Sequence, residues 1–343
     1  MDVRYNQSLK DCNTFGVDVQ ARCVVRLDVK GSALSERGHE EVEQLLESGA
    51  LQDAYMVVGK GSNILFTHDY DGTVIMLESS GKQELHVVDA DGCRYVTVGA
   101  KCLTDDVVAY CVEHGCFGIE NLSAIPGTIG AAVVQNVGAY GVEIGDVVER
   151  VEAVDLKKGT VCALRAEDCR FGYRSSLFKQ CNGQYLITSI TLRLKPSFQP
   201  VLTYKALAER VSGEQHADMT ALGMRDVITQ IRWRKLPRPE QYGSAGSFFK
   251  NPVVSDEVVE QLQSKYTDMP LYAGNKLSAG WLIDKAGWKG RSRGRVGVWP
   301  QQALVLYNRG SCTGTEVVDL AMAITEDVYS KFNVSLEPEV IIL

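Results

Sequence analysis

The sequence predicts an α+β protein with two subdomains that hold a cofactor diphosphate between them and a third, more helical domain. Two glycine-rich loops, at 59–63 and 118–141, lie between apolar segments that read as strands. Strand-like alternation dominates from 75 to about 200, and helical periodicity dominates beyond 218. We therefore expect subdomains at 1–75 and 76–217, a third domain at 218–330, and a C-terminal strand at 331–343 returning to the cofactor-binding region.

Composition limits the class of protein. The 343 residues suffice for two or three domains, and 45% hydrophobic with 23% charged residues is ordinary for a globular protein. The net charge is −7, without a basic block, which argues against a nucleic-acid partner. The ten cysteines include no C-x-x-C pair, and the polar N-terminus does not resemble a signal peptide, so we expect reduced thiols in a cytoplasm. A monomer is a separate expectation that does not follow from these features. The five histidines are not spaced as metal ligands, and no apolar run reaches the roughly 18–20 residues that span a bilayer.

Periodicity and turn signals place the elements in order. Strands are predicted at Ala21–Val29, Ala54–Gly59, Gln83–Asp89, Arg94–Gly99, Val148–Leu156, Thr160–Arg165, Tyr185–Lys195, Ala303–Tyr307 and Val334–Leu343. Helices are predicted at Ser35–Gly49, Asp105–His114, Tyr204–Arg210, Met224–Arg234, Ser255–Tyr266, Leu277–Ala286 and Thr315–Phe332. The Asp89–Gly92 turn predicts a hairpin, and Pro196–Val201 reads as a hinge.

The first glycine loop, Gly59–Asn63, resembles half of a dinucleotide-binding fingerprint. The third glycine is missing, and Ile64–Phe66 and Tyr70–Ile75 look like further strand. A Rossmann fingerprint must open a helix, so that fold is rejected.

The second loop mixes glycine and small residues with almost no charge. Pro126 and Gly127 begin it, and the small residues from Thr128 to Ala132 leave backbone N–H groups uncovered, so that an anion can approach. We interpret it as a cradle for a cofactor diphosphate. A tightly packed turn and small-residue helix inside a core remains the alternative.

The stretch Gly243–Pro252 combines small residues with a serine, two phenylalanines, a lysine and an asparagine. Ser247 could point into a cleft from a tight loop that Phe248 and Phe249 anchor in a core. A plain glycine turn before a strand is the alternative. A serine nucleophile is not favoured, because the G-x-S-x-G pattern and a nearby histidine are both missing.

Seven motifs together resemble MurB, the UDP-N-acetylenolpyruvoylglucosamine reductase family, in the family's order and over nearly the whole chain. They are NTFG (Asn13–Gly16), GKGSN (Gly59–Asn63), IPGTIGAA (Ile125–Ala132), QNVGAYG (Gln135–Gly141), FGYRSSLFK (Phe171–Lys179), GSAGSFFKNP (Gly243–Pro252) and LEPE (Leu336–Glu339).

The resemblance implies a fold of the vanillyl-alcohol oxidase type, non-covalent FAD, and NADPH as hydride donor for UDP-N-acetylglucosamine enolpyruvate. The cofactor contacts it implies are Gly59, Gly61, Ser62, Asn63, Pro126, Gly127, Thr128, Gly130, Asn136 and Gly138.

Three catalytic residues are implied by the resemblance. Ser247 corresponds to the general acid, while Arg174 and Glu339 stabilise charge on the substrate carboxylate. A carboxyl among proline and apolar residues tends to be desolvated and protonated, which suits Glu339. Glu337 lies on the same side of a strand and competes with it. Ser175 departs from the family pattern, in which an acidic residue is common; we expect no loss of activity.

The longer, type I members of the MurB family carry an extra loop with a tyrosine, and Tyr204 corresponds to that tyrosine. Lys235, Asn251 and Gln302 correspond to further substrate contacts. Two other classes of protein are the alternatives: a flavin-binding electron-transfer or scaffold subunit, and a non-flavin nucleotide-sugar binder. The first has no use for Tyr204 or Glu339, and the second would be colourless.

Overall fold

The computed structural model describes residues 1–28, 36–78, 85–211 and 219–343. The strands are β1 (Asp2–Ser8), β2 (Gln20–Asp28), β3 (Tyr55–Val57), β4 (Ile64–Leu65), β5 (Tyr70–Glu78), β6 (His86–Ala90), β7 (Cys93–Gly99), β8 (Gly138–Ala139), β9 (Val142–Glu143), β10 (Val148–Asp155), β11 (Thr160–Arg165), β12 (Tyr185–Leu194), β13 (Gly243–Ser247), β14 (Leu271–Tyr272), β15 (Lys276–Leu277), β16 (Ser292–Arg293), β17 (Val296–Val298), β18 (Val305–Asn308) and β19 (Ile341–Ile342).

The α-helices are α1 (Glu36–Glu47), α2 (Thr104–Glu113), α3 (Ile129–Gln135), α4 (Leu177–Gln180), α5 (Lys205–Arg210), α6 (Ala221–Lys235), α7 (Asp256–Lys265), α8 (Ala279–Lys285) and α9 (Gly314–Phe332). Short 3-10 helices lie at Lys10–Cys12, Glu120–Leu122 and Ile144–Asp146. Among the described residues, the helices lack the length and apolar character needed to cross a membrane.

Backbone contacts divide the chain into two units. The first contains Met1–Gln7, Ala21–Lys60 and Asp71–Arg232; the second contains Ser8–Gln20, Gly61–Tyr70 and Trp233–Leu343. This division does not separate the subdomains predicted at 1–75 and 76–217, whose boundaries stay predictions. Four predicted boundaries fall outside the described residues. They are the domain boundary at 217–218, the helix start at Ser35, the strand end at Val29 and the strand start at Gln83.

The described part of the first unit contains two larger sheets and the two-stranded sheet β8-β9. One has the order β1-β2-β5-β3, with β3 and β5 parallel. The other has the order β11-β10-β12-β7-β6 and is antiparallel, with the predicted hairpin between β6 and β7. Apolar side chains of this second sheet, such as Val98, Val151 and Ile190, share a buried core with Ile129 and Val133 of α3. The glycine-rich helix is thereby fixed on the sheet.

The second unit contains the antiparallel sheet β13-β18-β17-β16 and the helices α7 to α9. The long helix α9 begins at the capping box of Thr313 and Glu316, and it buries an apolar stripe from Val317 to Phe332. The C-terminal strand β19 pairs in parallel with β4, immediately after the first glycine loop.

Most predicted elements are confirmed to within a few residues, and the first glycine loop does lead into strand, as the rejection of a Rossmann fold requires. Three details differ. The polar N-terminal residues include β1, the strand predicted at Val334–Leu343 is confined to Ile341–Ile342, and Ser247 ends a strand where a loop was predicted. The strands β13 and β19 pair with the distant strands β18 and β4, whereas β1 pairs with the next strand, β2. Periodicity does not report such pairing.

Candidate active site

The two glycine loops approach each other in the first unit at Gly59. A Cβ added to Gly59 would lie 2.5 Å from Thr128 Oγ1 and 3.3 Å from Ala131 Cβ, so no side chain fits there. Gly130 is equally confined, since an added Cβ would lie 2.8 Å from Ala100 Cβ. Thr128 caps α3 by accepting a hydrogen bond from Ala131 N at 3.4 Å. The N–H groups of Ile129 and Gly130 donate to the carbonyls of Cys102 at 2.8 Å and Ala100 at 2.9 Å. These contacts are those of the tightly packed turn that the sequence left as the alternative, so the diphosphate cradle stays a prediction.

The start of the second loop is held by α2. The carbonyl of Gly127, a residue with φ +98°, accepts hydrogen bonds from Thr104 N at 3.0 Å and from Thr104 Oγ1 at 3.2 Å. Pro126 is exposed beside it. Two hydrogen bonds from α2 thus hold the Gly127 carbonyl in place.

The rest of the first loop belongs to the second unit. Gly61 has φ +62°, and an added Cβ would lie 2.1 Å from the Cys12 carbonyl oxygen. Ser62 is half-buried. Asn63 donates from Nδ2 to the Glu339 carbonyl at 3.2 Å and accepts from Ile341 N at 3.0 Å. Asn63 therefore also supports the C-terminal segment, a contact that the sequence did not predict.

Asn136 is buried and left-handed (φ +43°) at the end of α3. Its Nδ2 donates to Glu143 Oε2 at 2.7 Å and to the Gly172 carbonyl at 2.9 Å, and its Oδ1 accepts from Gly145 N at 3.0 Å. Both amide protons are thus used within the fold, so a cofactor contact would fall to its backbone or its remaining lone pair. The predicted contact stays a prediction.

Arg174 lies in a tight turn. The backbones of Gly172 and Ser175 exchange two hydrogen bonds of 3.0 Å, and Arg174 itself has φ +52°. A left-handed non-glycine residue costs about 1–2 kcal/mol, so the surrounding contacts must hold it. The guanidinium donates to the Gly138 carbonyl at 3.3 Å and lies 5.4 Å from the centre of the Tyr173 ring. Gly138 of the second glycine stretch therefore adjoins the predicted catalytic arginine.

Ser247 is exposed at the end of β13. The pairing of β13 with β18 loses register just before it, where Gly246 has φ +69° and an added Cβ would meet nothing within 4 Å. Phe248 and Phe249, each 1% exposed, anchor the chain immediately after it, as predicted. A bulge on a buried anchor thus sets the direction of the serine side chain.

The C-terminal segment brings Glu339 beside Ser247. Glu339 N donates to the carbonyl of Phe248 at 2.8 Å, and Pro338 forms a bridge with Phe249. The competing Glu337 is 75% exposed and pairs with Lys250 Nζ at 3.2 Å. Glu339 is half-buried. The environment therefore favours Glu339 over Glu337 as the catalytic carboxyl.

The NTFG motif is hydrogen-bonded to two segments of the second-unit site, the first glycine loop and β13. The sequence did not predict this role. Thr14 Oγ1 donates to the Ser244 carbonyl at 2.6 Å, and Thr14 N donates to the Gly61 carbonyl at 3.2 Å. A Cβ added to Gly243 would lie 2.2 Å from the carbonyl oxygen of Phe15. The NTFG motif was visible in the sequence, but the residues that it contacts are distant in sequence and could not be read from it.

Two of the predicted substrate contacts lie at the start of α8. Asn251 Oδ1 accepts from Ala279 N at 3.0 Å, and a Cβ added to Gly280 would lie 3.0 Å from Gln302 Oε1. The structure therefore brings Asn251 and Gln302 to the same helix end. Lys235 is half-buried at the end of α6.

Tyr204, the fourth predicted substrate contact, is 39% exposed and packs edge-on against Tyr140, with 5.3 Å between ring centroids.

Arg232 donates from Nε to the Ala124 carbonyl at 3.2 Å. Burial raises the pKa of Tyr140 and lowers the pKa of Arg232.

An ion pair that the sequence did not indicate joins α2 to α6. Asp105 accepts hydrogen bonds from Arg225 at 2.5 and 3.0 Å and from Ala124 N at 2.6 Å. Burial alone would raise the pKa of Asp105, but these hydrogen bonds outweigh it and hold the pKa below its usual value.

Among the described side chains, histidine, cysteine and carboxylate groups form no cluster suited to a metal ion.

Comparison with protein families gives two matches. Residues 238–343 match the model described as "UDP-N-acetylenolpyruvoylglucosamine reductase, C-terminal domain". Residues 37–165 match the model described as "FAD binding domain". The two matched regions contain the C-terminal site residues and both glycine loops, respectively.

Curated relatives are similar over nearly their whole length. The UDP-N-acetylenolpyruvoylglucosamine reductase of Pseudomonas aeruginosa is 43% identical over 343 residues, covering 99% of this chain and 98% of its own. The enzyme of the same name from Azoarcus sp. (strain BH72) is 41% identical, covering 95% and 94%. The crystal structure of UDP-N-acetylenolpyruvylglucosamine reductase (MurB) from Thermus caldophilus is similar with a TM-score of 0.67 and 24% identity, over 99% of this chain and 98% of that one. These comparisons confirm the predicted α+β, FAD-binding fold class.

Proposed function

The chain belongs to the UDP-N-acetylenolpyruvoylglucosamine reductase family, and we propose from this membership which residues carry each part of the reaction. It is an FAD-dependent oxidoreductase that reduces UDP-N-acetylglucosamine enolpyruvate to UDP-N-acetylmuramate in peptidoglycan precursor synthesis, with NADPH as hydride donor. The observation that carries the assignment is the 43% identity over 99% of the chain. Membership also decides against the electron-transfer subunit and the non-flavin binder.

The described residues fit FAD. The support is that residues 37–165, which contain both glycine loops, match an FAD-binding model, and that the close packing of Gly59 on Thr128 brings the two loops together. The chemistry that bound FAD supplies is hydride transfer, from NADPH to C3 of the enolpyruvyl group. We assign the remaining cofactor contacts to the predicted residues of the two loops.

Ser247 Oγ is the proton donor to C2 of the enolpyruvyl group. Its support is its exposed position behind the Gly246 bulge, with the next two residues buried. As C3 gains a hydride, charge develops on the substrate carboxylate oxygens. The planar guanidinium of Arg174 donates hydrogen bonds to these oxygens, and Glu339, whose backbone N–H is bonded to the Phe248 carbonyl, helps to polarise the substrate beside Ser247. Fixed donors of this kind lower such a barrier by several kcal/mol.

The UDP part of the substrate is assigned to four side chains. Lys235 and Tyr204 contact the diphosphate, and Asn251 and Gln302 contact the nucleotide. The support is that Asn251 and Gln302 converge on the start of α8, and that the Tyr204 ring is partly exposed. NADPH and the substrate use one cleft in turn, so ping-pong kinetics are expected.

We also propose a cytoplasmic location and a monomeric state. All ten cysteines are free thiols, which suits a reducing compartment. The monomer is proposed from the sequence alone and is tested by size-exclusion chromatography with light scattering.

Ser247→Ala tests the proton-donor role. Anaerobic stopped-flow absorbance should show flavin reduction by NADPH nearly unchanged, and flavin reoxidation by the enolpyruvyl substrate slowed at least about 100-fold. Ser264→Ala, on the exposed side of α7, is the matched control and should leave both rates unchanged. Equal losses in both half-reactions of Ser247→Ala would contradict the role and indicate a folding or cofactor defect.

A further inference from the structure

The turn that carries Arg174 is fastened to the end of the glycine-loop helix at several points. Ser176 Oγ donates to the Val134 carbonyl at 2.7 Å, and Asn136 Nδ2 donates to the Gly172 carbonyl at 2.9 Å. Val134 lies in the last turn of α3, and Asn136 is the C-cap residue of that helix. The position of the arginine turn is therefore set by α3.

Lys179 contacts the backbone of Arg174 itself. Its Nζ donates to the Arg174 carbonyl oxygen at 2.9 Å and to Gln135 Oε1 at 2.8 Å. Lys179 is half-buried in α4, and its own backbone N–H is capped by Ser176 at 3.2 Å. One ammonium group thus ties the carbonyl of Arg174 to α3.

This bond acts on the strained part of the turn. Arg174 has φ +52°, a conformation that an arginine leaves readily unless other contacts hold its peptide groups. A charged donor on its carbonyl fixes the peptide plane that follows Arg174, and a charge-assisted hydrogen bond is stronger than a neutral one. The direction of the guanidinium depends on that backbone conformation.

We propose that Lys179 is a positioning residue of the reduction: it holds Arg174 in the left-handed conformation from which its guanidinium meets the substrate carboxylate. The inference rests on the proposed role of Arg174. Lys179 acts through the Arg174 backbone and donates no proton to the substrate. Its removal therefore slows only the step in which charge develops on the carboxylate.

The test compares the two half-reactions of the FAD-loaded enzyme in Lys179→Met, Lys179→Arg and the matched control Lys158→Met. Lys158 is 74% exposed and pairs only loosely, at 3.9 Å, with Asp155. Lys179→Met should slow flavin reoxidation by the substrate about 10- to 100-fold and leave reduction by NADPH unchanged. Lys179→Arg, which keeps a cation and its donors, should recover most of the rate, and Lys158→Met should match the wild type.

Hydrogen exchange gives a readout apart from activity. The amides of Gly172 and Ser175 are bonded to each other's carbonyls, so the peptide containing them should exchange faster in Lys179→Met, while peptides from α9 remain unchanged. Unchanged exchange in this turn would contradict the positioning role.

A double-mutant cycle separates this inference from the proposed function. In an Arg174→Ala background, adding Lys179→Met should change the reoxidation rate less than twofold, because the group being positioned is already gone. Full additivity of the two effects would overturn the inference, as would a wild-type rate in Lys179→Met when Arg174→Ala is strongly impaired. A wild-type rate in Arg174→Ala would instead overturn the proposed role of Arg174, and the inference with it.

Discussion

Replacing Gly246 with alanine tests whether the bulge aims Ser247. Gly246 has φ +69°, and an added Cβ would meet no atom within 4 Å, so the substitution causes no clash. Its cost is the left-handed backbone alone, about 1–2 kcal/mol for a residue with a Cβ. For a chain of this size we expect a fall in melting temperature of about 2 °C. Relaxation of this strain turns the next peptide, and with it the Ser247 side chain.

The assay is anaerobic stopped-flow absorbance beside thermal unfolding. Gly246→Ala should slow flavin reoxidation by the substrate at least about 10-fold and spare reduction by NADPH. Gly92→Ala is the matched control: Gly92 has φ +72°, and an added Cβ there also meets nothing within 4 Å. It should lower the melting temperature equally and leave both rates unchanged. Equal stability losses with a normal reoxidation rate in Gly246→Ala would show that the Gly246 bulge does not orient Ser247.

Three further predictions follow from the described contacts. Glu339→Ala removes the carboxyl group and should slow reoxidation by about 100-fold, whereas Glu337→Ala loses only an exposed ion pair and should keep the rate; the reverse order in stopped-flow would exchange their roles. Gly59→Ala should lower the ratio of bound flavin to protein, measured by absorbance, because its Cβ has no room; a full complement of FAD would contradict the cradle. Asp105 has its pKa lowered by folding, so its pairing with Arg225 stabilises fully above pH about 4 and is lost as the pH falls through the lowered value. Asp105→Asn should therefore cost about 1 kcal/mol in urea unfolding at pH 7 and less near pH 3, and a constant difference would contradict this.

The sequence predicted the elements with strong local signals. The Asp89–Gly92 turn places Asp91 and Gly92 at positive φ between β6 and β7, which short-range chemistry dictates. The apolar stripe of α9 and its capping residues likewise define that helix from its own sequence. Such elements need no information about their partners.

Contacts between distant segments were the part that the sequence did not predict. The seven motifs were recognised, but the structure alone shows that NTFG fastens Gly61 to Ser244, and that Asn63 supports Glu339. Lys179 lies within the FGYRSSLFK motif, but the sequence predicts no role for it, because its partner Gln135 on α3 lies 44 residues away in sequence. Hydrogen bonds of this kind leave no periodic pattern.

The most direct measurement is the absorbance spectrum of the purified protein during anaerobic addition of NADPH and then of UDP-N-acetylglucosamine enolpyruvate. We expect a yellow protein whose flavin absorbance bleaches with NADPH and returns with the enolpyruvyl substrate. Return of the absorbance only with a different acceptor would contradict the substrate assignment. A colourless protein that takes up no added FAD would contradict both the cofactor and the reductase assignment.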